Sequence, residues 1–190
     1  MKTTKNGKSR ISRNVKFLIH NKCLRNFFFS WYRYFNHIIL TALNFTPPPI
    51  RNIFLRFALG NFGKSSFIDL NFTFRYPKKI WIGEKVEINQ DCKFYPSYLI
   101  GDGGIVIEDH AIIGPGVTLI CAGQESNPTT RYDVAGKIII KSGAYVGANS
   151  TIRYGVTIGE GATVAAGSVV VKSVAARSVV GGCPARVILP

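Results

Sequence analysis

Residues 140–170 read IKSGAYVGANSTIRYGVTIGEGATVAAGSVV. Within them Ile140, Val146, Ile152, Ile158, Val164 and Val170 fall six residues apart without a slip. Four residues after each of the first five stands a small or β-branched side chain: Ala144, Ser150, Val156, Ala162 and Ser168. Gly147, Gly159 and Ala165 directly follow three of the aliphatics. A period of six fits neither the roughly 3.6 of an α-helix nor the roughly 2.0 of a paired strand, so it marks a repeat architecture. Each hexad predicts one short strand and a turn. The large aliphatic and the smaller residue point inward, and a Gly or polar residue takes the chain round the corner. Three hexads close one triangular coil, and stacked coils bury a continuous aliphatic column. A run of ordinary antiparallel strands is the competing reading, but its turns would vary in length where this chain keeps to six.

The spacing extends toward the N-terminus with interruptions. Ile82, Ile88, Phe94 and Ile100 keep it, Gly103-Gly104 accommodates one extra residue, and Ile107, Ile113 and Leu119 resume it. The first hexads, from Ile68 onward, read as irregular. After Leu119 the pattern is lost until Ile138–Ile140. The gap, residues 123–137, contains Asn127-Pro128-Thr129-Thr130 and Gly136, and it predicts a loop thrown out from one corner of the coil. A loop inserted into a strict repeat is where function concentrates.

At 190 residues the chain allows one repeat domain, residues 61–190, with an appendage, residues 1–60. The net charge of +14 is unevenly spread. Before Asp69 there are twelve Lys or Arg and no acidic residue, whereas from Asp69 onward twelve basic residues face ten acidic ones. Residues up to about Lys16 are polar and basic and predict a mobile tail. An aromatic region follows, with Phe27, Phe28, Phe29, Trp31, Tyr32, Tyr34 and Phe35 interleaved with Arg25 and Arg33. It is too interrupted by polar residues to span a bilayer, which takes about 20 apolar residues, and it lacks the cleavage pattern of a secretory signal. It suits an amphipathic helix at an anionic membrane surface, or equally a helix packing its aromatics on the repeat domain or a neighbouring subunit. His20 and His37 lie in this arm without an evident partner. Pro47-Pro48-Pro49 then breaks the chain, and Ile50–Leu59 predicts a short helix burying Ile53, Phe54 and Phe57. The four cysteines, Cys23, Cys92, Cys121 and Cys183, form no CxxC pair and no metal-ligand spacing. No zinc site or disulfide framework is expected, and a reducing, cytoplasmic compartment is. Cys92, four after Ile88, falls in the inward slot and reads as core filler. No base-reading motif accompanies the basic tail, so no nucleic-acid partner is expected.

Several stretches together resemble a known family. They are Ile107-Glu-Asp-His-Ala-Ile-Ile-Gly-Pro-Gly-Val117, Val146-Gly-Ala-Asn149, Gly155-Val-Thr-Ile-Gly-Glu160, Ala165-Ala-Gly-Ser-Val-Val-Val-Lys172 and Gly181-Gly-Cys-Pro-Ala-Arg-Val-Ile188. From about Phe45 to Pro190 the chain is similar to the hexapeptide-repeat acyltransferases. The likeness is greatest to maltose/galactoside O-acetyltransferases and to the O-acetyltransferases of colanic-acid and other exopolysaccharide synthesis. The resemblance implies an all-β, left-handed parallel β-helix with a helical N-terminal extension. The left hand comes from the family, since the general preference for right-handed crossovers points the other way. It implies homotrimers with each active site in a cleft between subunits, and acetyl-CoA as acyl donor lying along the coils. By position, Ala148 and Ala166 would offer backbone contacts to the pantetheine arm, and Val171, Lys172 and Arg186 would lie by the nucleotide phosphates. The implied reaction is transfer of the acyl group to a hydroxyl of a saccharide, either a cell-surface polysaccharide or its lipid-linked precursor. A general base takes the hydroxyl proton and backbone N–H groups stabilise the oxyanion.

In the family that base is a histidine opening the extruded loop. Here the matching stretch is Cys121-Ala122-Gly123-Gln124-Glu125, with Gln124 or Glu125 at the histidine's place. An amide is not a base. Three readings stand: Glu125 substitutes, with a pKa raised by burial against a neighbouring subunit; His110, at what reads as the same corner one rung below, serves instead; or the module binds ligands and is catalytically weak or inactive, a scaffold or CoA-binding partner.

Overall fold

The structure is a computed structural model that describes residues 22–98, 102–126 and 131–189. The basic tail, His20, Ile100 and Asn127–Thr130 lie outside the described residues. The chain divides into two compact units, Met1–Thr41 and Ala42–Pro190. Helix α1 spans Lys22–Asn44 and helix α2 spans Pro48–Ala58.

After α2 the chain winds through three sheets of short, mostly parallel strands. Sheet A stacks Asn61–Phe62, Ile80–Ile82, Ile105–Ile107, Ile138–Ile140 and Thr157–Ile158. Sheet B stacks Phe67–Ile68, Glu87–Ile88, Ile112–Ile113, Tyr145–Val146, Thr163–Val164 and Val179–Gly182, with Ala185–Leu189 folded back antiparallel on the last. Sheet C stacks Thr73–Phe74, Lys93–Tyr95, Thr118–Ile120, Thr151–Arg153 and Val169–Val170. The six-residue aliphatics fall into one register column per sheet. Ile82, Ile107, Ile140 and Ile158 pair in A. Ile88, Ile113, Val146 and Val164 pair in B, and Phe94, Leu119, Ile152 and Val170 in C. All are buried, as are the small-slot residues Cys92, Ala144, Ser150, Val156, Ala162 and Ser168. The two slot serines stay inside because their hydroxyls donate to Ala165 O, at 3.1 Å from Ser150 and 2.5 Å from Ser168.

The corners explain the rest of the hexad. Residues 143, 149, 155, 161 and 167, again six apart, all hold φ between 56° and 72°. Four are glycine and one is asparagine, the residues that enter the left-handed region most readily. Gly147 has a different reason: a Cβ there would sit 2.6 Å from Ala166 N on the next rung.

Three expectations are corrected. The first hexads are regular: Phe62, Ile68 and Phe74 keep the spacing, and a 3-10 turn at Pro77–Lys79 delays Ile82. Gly103-Gly104 is no simple one-residue insertion, because the coil passes from Phe94 in sheet C to Ile107 in sheet A through an excursion closed by a Ser97–Gly103 bridge. The third correction concerns α2. Its predicted buried stripe faces outward, with Ile53 59% and Phe57 77% exposed and Phe54 exposed as well. Arg51 and Leu55 are buried instead. Sheet B ends at the strand holding Ile68, whose carbonyl has no lower rung to bond, and the Arg51 Nη2 donates to it. Covering that open carbonyl edge decides the face of α2, at the cost of turning its larger apolar residues out. The Lys78 ammonium reinforces the arrangement by donating to Phe57 O at 2.6 Å and Leu59 O at 3.2 Å, where the helix carbonyls end.

Candidate functional site

The predicted loop is an antiparallel hairpin, Ala122–Ser126 paired with Arg131–Ala135, leaving the corner between sheets C and A. Cross-strand neighbours set its chemistry: Gln124 faces Asp133 and Glu125 faces Tyr132. The Gln124 Nε2 donates to Asp133 Oδ1 at 3.0 Å, so the amide is held by its own hairpin. Gly123 packs against the Tyr154 ring, where a Cβ would meet Cε1 at 2.7 Å.

Glu125 is the hub. Its Oε1 accepts from the Tyr154 hydroxyl at 2.7 Å and from the Arg153 guanidinium, and its Oε2 accepts from the Tyr132 hydroxyl at 3.3 Å. The Arg153 guanidinium also lies over the Tyr154 ring, 4.2 Å from its centroid. The Tyr154 hydrogen bond above all holds the Glu125 carboxyl below the usual carboxylate range; desolvation, the next largest influence, opposes it, and the charge of Arg153 and the Tyr132 hydroxyl add to the lowering. Within the single chain the shift is downward; the elevation expected from burial against a neighbouring subunit belongs to the assembly. The carboxylate is ionised at neutral pH. Three of its about four lone-pair positions are taken, leaving one on Oε2.

Sequence reasoning missed Arg153, Tyr154 and Tyr132. A signal existed: Arg153 lies opposite Ile120 in sheet C, the last strand residue before the hairpin corner, so Arg153-Tyr154 occupy the rung directly above it. Recovering that required knowing how many residues the hairpin removes from the count. His110 is also relocated. It turns the corner between sheets A and B at φ 60°, with its N–H on Glu84 O at 2.9 Å. The hairpin leaves a different corner of the same prism.

The positions assigned to the donor divide into two groups. Ala148 and Ala166 stack at the corner between sheets B and C, where Gly167 N–H donates to Ala148 O at 2.8 Å. Lys172 and Arg186 come together on a groove of about 370 Å³ whose floor is Val170, Val174 and Val180. Val171 precedes Lys172 and is half-buried. Since Ile152 pairs with Val170, Val171-Lys172 sit one rung above Arg153-Tyr154. Hairpin base, arginine–tyrosine pair and basic groove thus follow one another up a single edge, two rungs or about 10 Å from first to last. An apolar floor flanked by two cations can take an anionic group joined to an apolar body.

The family profile described as bacterial transferase hexapeptide (six repeats) matches residues 137–172. Residues 137–172 thus carry the hexapeptide repeat of that transferase family. A hexapeptide-repeat acetyltransferase from Vibrio cholerae, solved with acetyl-coenzyme A, shares this fold with TM-score 0.73 and 26% identity over 89% of each chain. A maltose O-acetyltransferase from Clostridium difficile superposes with TM-score 0.72 and 25% identity, covering 84% of this chain and 86% of that one. In sequence the chain is similar to the galactoside O-acetyltransferase of Escherichia coli K12, 29% identical over 129 residues, which is 66% of this chain. The match spans 61% of that relative's length.

Proposed function

We propose that this hexapeptide-repeat chain is an acetyl-CoA-dependent O-acetyltransferase that acts as a homotrimer on a hydroxyl of a saccharide, a cell-surface polysaccharide or its lipid-linked precursor. The observation that carries the reading is the shared edge: the Glu125 hub and the groove of Lys172 and Arg186 lie two rungs apart. Acetyl-CoA supplies the acyl group as a thioester. Lys172 and Arg186 neutralise phosphate charge, Arg186 with a planar fork suited to two oxygens. Val170, Val174 and Val180 exclude water beneath them. The corner backbone at Ala148 and Ala166 lies on a different edge, between sheets B and C, so it would meet the narrow pantetheine arm from a neighbouring subunit of the trimer. Glu125 accepts the hydroxyl proton at its open Oε2 position, while Tyr154 and Arg153 hold the carboxylate in place.

A second reading, a CoA-binding module with weak or no turnover, is favoured by one observation. The Gln124 amide is engaged by Asp133 and Glu125 by three donors, so neither is poised as the family's histidine is. Titration calorimetry with coenzyme A and thiol release from acetyl-CoA with saccharide acceptors separate the readings. On the first, Lys172→Ala/Arg186→Ala weakens coenzyme A binding, and Glu125→Gln lowers kcat about 10²-fold with binding intact. Binding without turnover, indifferent to Glu125→Gln, leaves the second. No heat with coenzyme A defeats both. Sedimentation at three times the 20.9 kDa chain mass tests the trimer.

A further inference from the structure

Helix α1 carries a wide apolar face that nothing among the described residues covers. Phe27, Phe28, Trp31, Tyr34, Phe35, Ile38 and Ile39 are all exposed. At about 100° per residue they fall on one half of the helix, with Ser30, Arg33 and His37 on the other. The rings pack on one another along the surface: Trp31 stacks on Phe35 at 5.5 Å between centroids and meets Phe27 edge-on at 6.2 Å. A second stripe of the same kind lies on α2, where Ile50, Ile53, Phe54 and Phe57 are exposed beside the exposed Arg56.

We propose that α1 lies in the interface of an anionic lipid bilayer, rings toward the acyl chains and basic residues toward the headgroups. Charge selects this occupant. The first 68 residues hold twelve Lys or Arg and no acid, and the remainder of the chain balances twelve basic with ten acidic residues. A second copy therefore offers no net negative charge to match, whereas an anionic leaflet offers negative charge and an apolar layer together. No helix among the described residues is long and apolar enough to cross a membrane, so α1 lies along it rather than through it.

The test uses the full chain with vesicles of phosphatidylcholine alone or with about 30% phosphatidylglycerol. Sedimentation with the anionic vesicles should exceed that with neutral ones by at least about tenfold and fall with added salt. Phe27→Ser/Trp31→Ser/Phe35→Ser should abolish it while leaving the sedimentation coefficient without lipid unchanged. The chain has two tryptophans, Trp31 and Trp81, so Trp81→Phe leaves one reporter on the proposed face. Its emission should shift to the blue on adding anionic vesicles and be quenched by brominated acyl chains. Equal sedimentation of the wild type with both vesicle types overturns the proposal. So does a triple variant that loses its oligomeric state, or a Trp31 emission already blue in buffer and indifferent to lipid, since either makes the face a subunit contact.

Discussion

The prism and the hairpin that leaves it obey opposite rules. Inside the prism, Ile113, Leu119, Ile140 and Ile152 are fully buried, pair in register with the same kind of residue above and below, and carry no titratable group. On the hairpin, Gln124, Glu125, Tyr132 and Asp133 hold one another by polar contacts at the surface. The first region fixes residue identity through packing, where each missing methylene is felt. The second fixes it through chemistry alone, so Gln124 can be exchanged without disturbing the fold. Stability and the proposed activity thus rest on different residues, and substitutions should separate them.

The largest effect is expected from the prism. Leu119→Ala leaves a cavity between the Phe94 and Ile152 rungs and should cost about 2–5 kcal/mol in chemical denaturation. A loss below about 1 kcal/mol would mean that the column is loosely packed and the contrast with the hairpin overstated.

Next comes Gln124→His, which places an imidazole on the hairpin. Unfolding free energy should stay within about 0.5 kcal/mol of the wild type. Turnover should rise about 10²-fold, equivalent to about 2.7 kcal/mol in the barrier. The pH profile carries the sharper information. With Glu125 as base the acid limb of kcat/KM falls below 4.5, because its carboxyl is held under that ordinary value. With an imidazole as base it moves to about 6.5. An acid limb at about 6.5 already in the wild type would remove Glu125 from the reaction.

A smaller effect follows from Tyr154→Phe, which deletes the leading cause of the lowered Glu125 pKa. The carboxyl should titrate closer to its ordinary value, seen by NMR of the side-chain carbon. A carboxylate with a depressed folded pKa stabilises the fold above its unfolded pKa and loses that contribution as pH falls through the folded value. The stability difference between wild type and variant should therefore be present at pH 7 and vanish in acid. A difference that persists in acid would assign Tyr154 a packing role instead, against Gly123.

The same contrast explains what could be read in the sequence. The hexads declared themselves because burial on all three sheets demands an aliphatic every six residues, and Cys92 revealed its inward slot by the same count. Cys92 and Cys121 behave as core, their thiols pushed up to about 11 and about 12 by burial. The count fails where the chain leaves the coil. Pro77–Lys79 hid the regularity of the first rungs, and the hairpin hid that Arg153 lies opposite Ile120. The corner that His110 turns is hidden for a related reason: a single spacing identifies a turn but not which of three corners it makes. The helices were harder still. An amphipathic pattern identifies an apolar face without saying whether protein covers it, and on α2 the demand of the Ile68 carbonyl for a donor outweighed the larger apolar stripe.

That last point yields the smallest expected effect. Ile53 has the same side chain as Ile113, yet one is 59% exposed and the other fully buried. If the outward face of α2 contributes nothing to folding, Ile53→Ser removes little more than surface apolar area, and unfolding free energy should change by less than about 0.5 kcal/mol. Arg51→Met on the opposite face is the control. It keeps the length of the side chain but deletes the donor to Ile68 O, so a buried carbonyl loses its partner and stability should fall by about 1–3 kcal/mol. If Ile53→Ser proves the costlier of the two, the helix is held by its apolar stripe after all. The edge-capping account of α2 would then fail, and with it the reason given for those aromatics facing out.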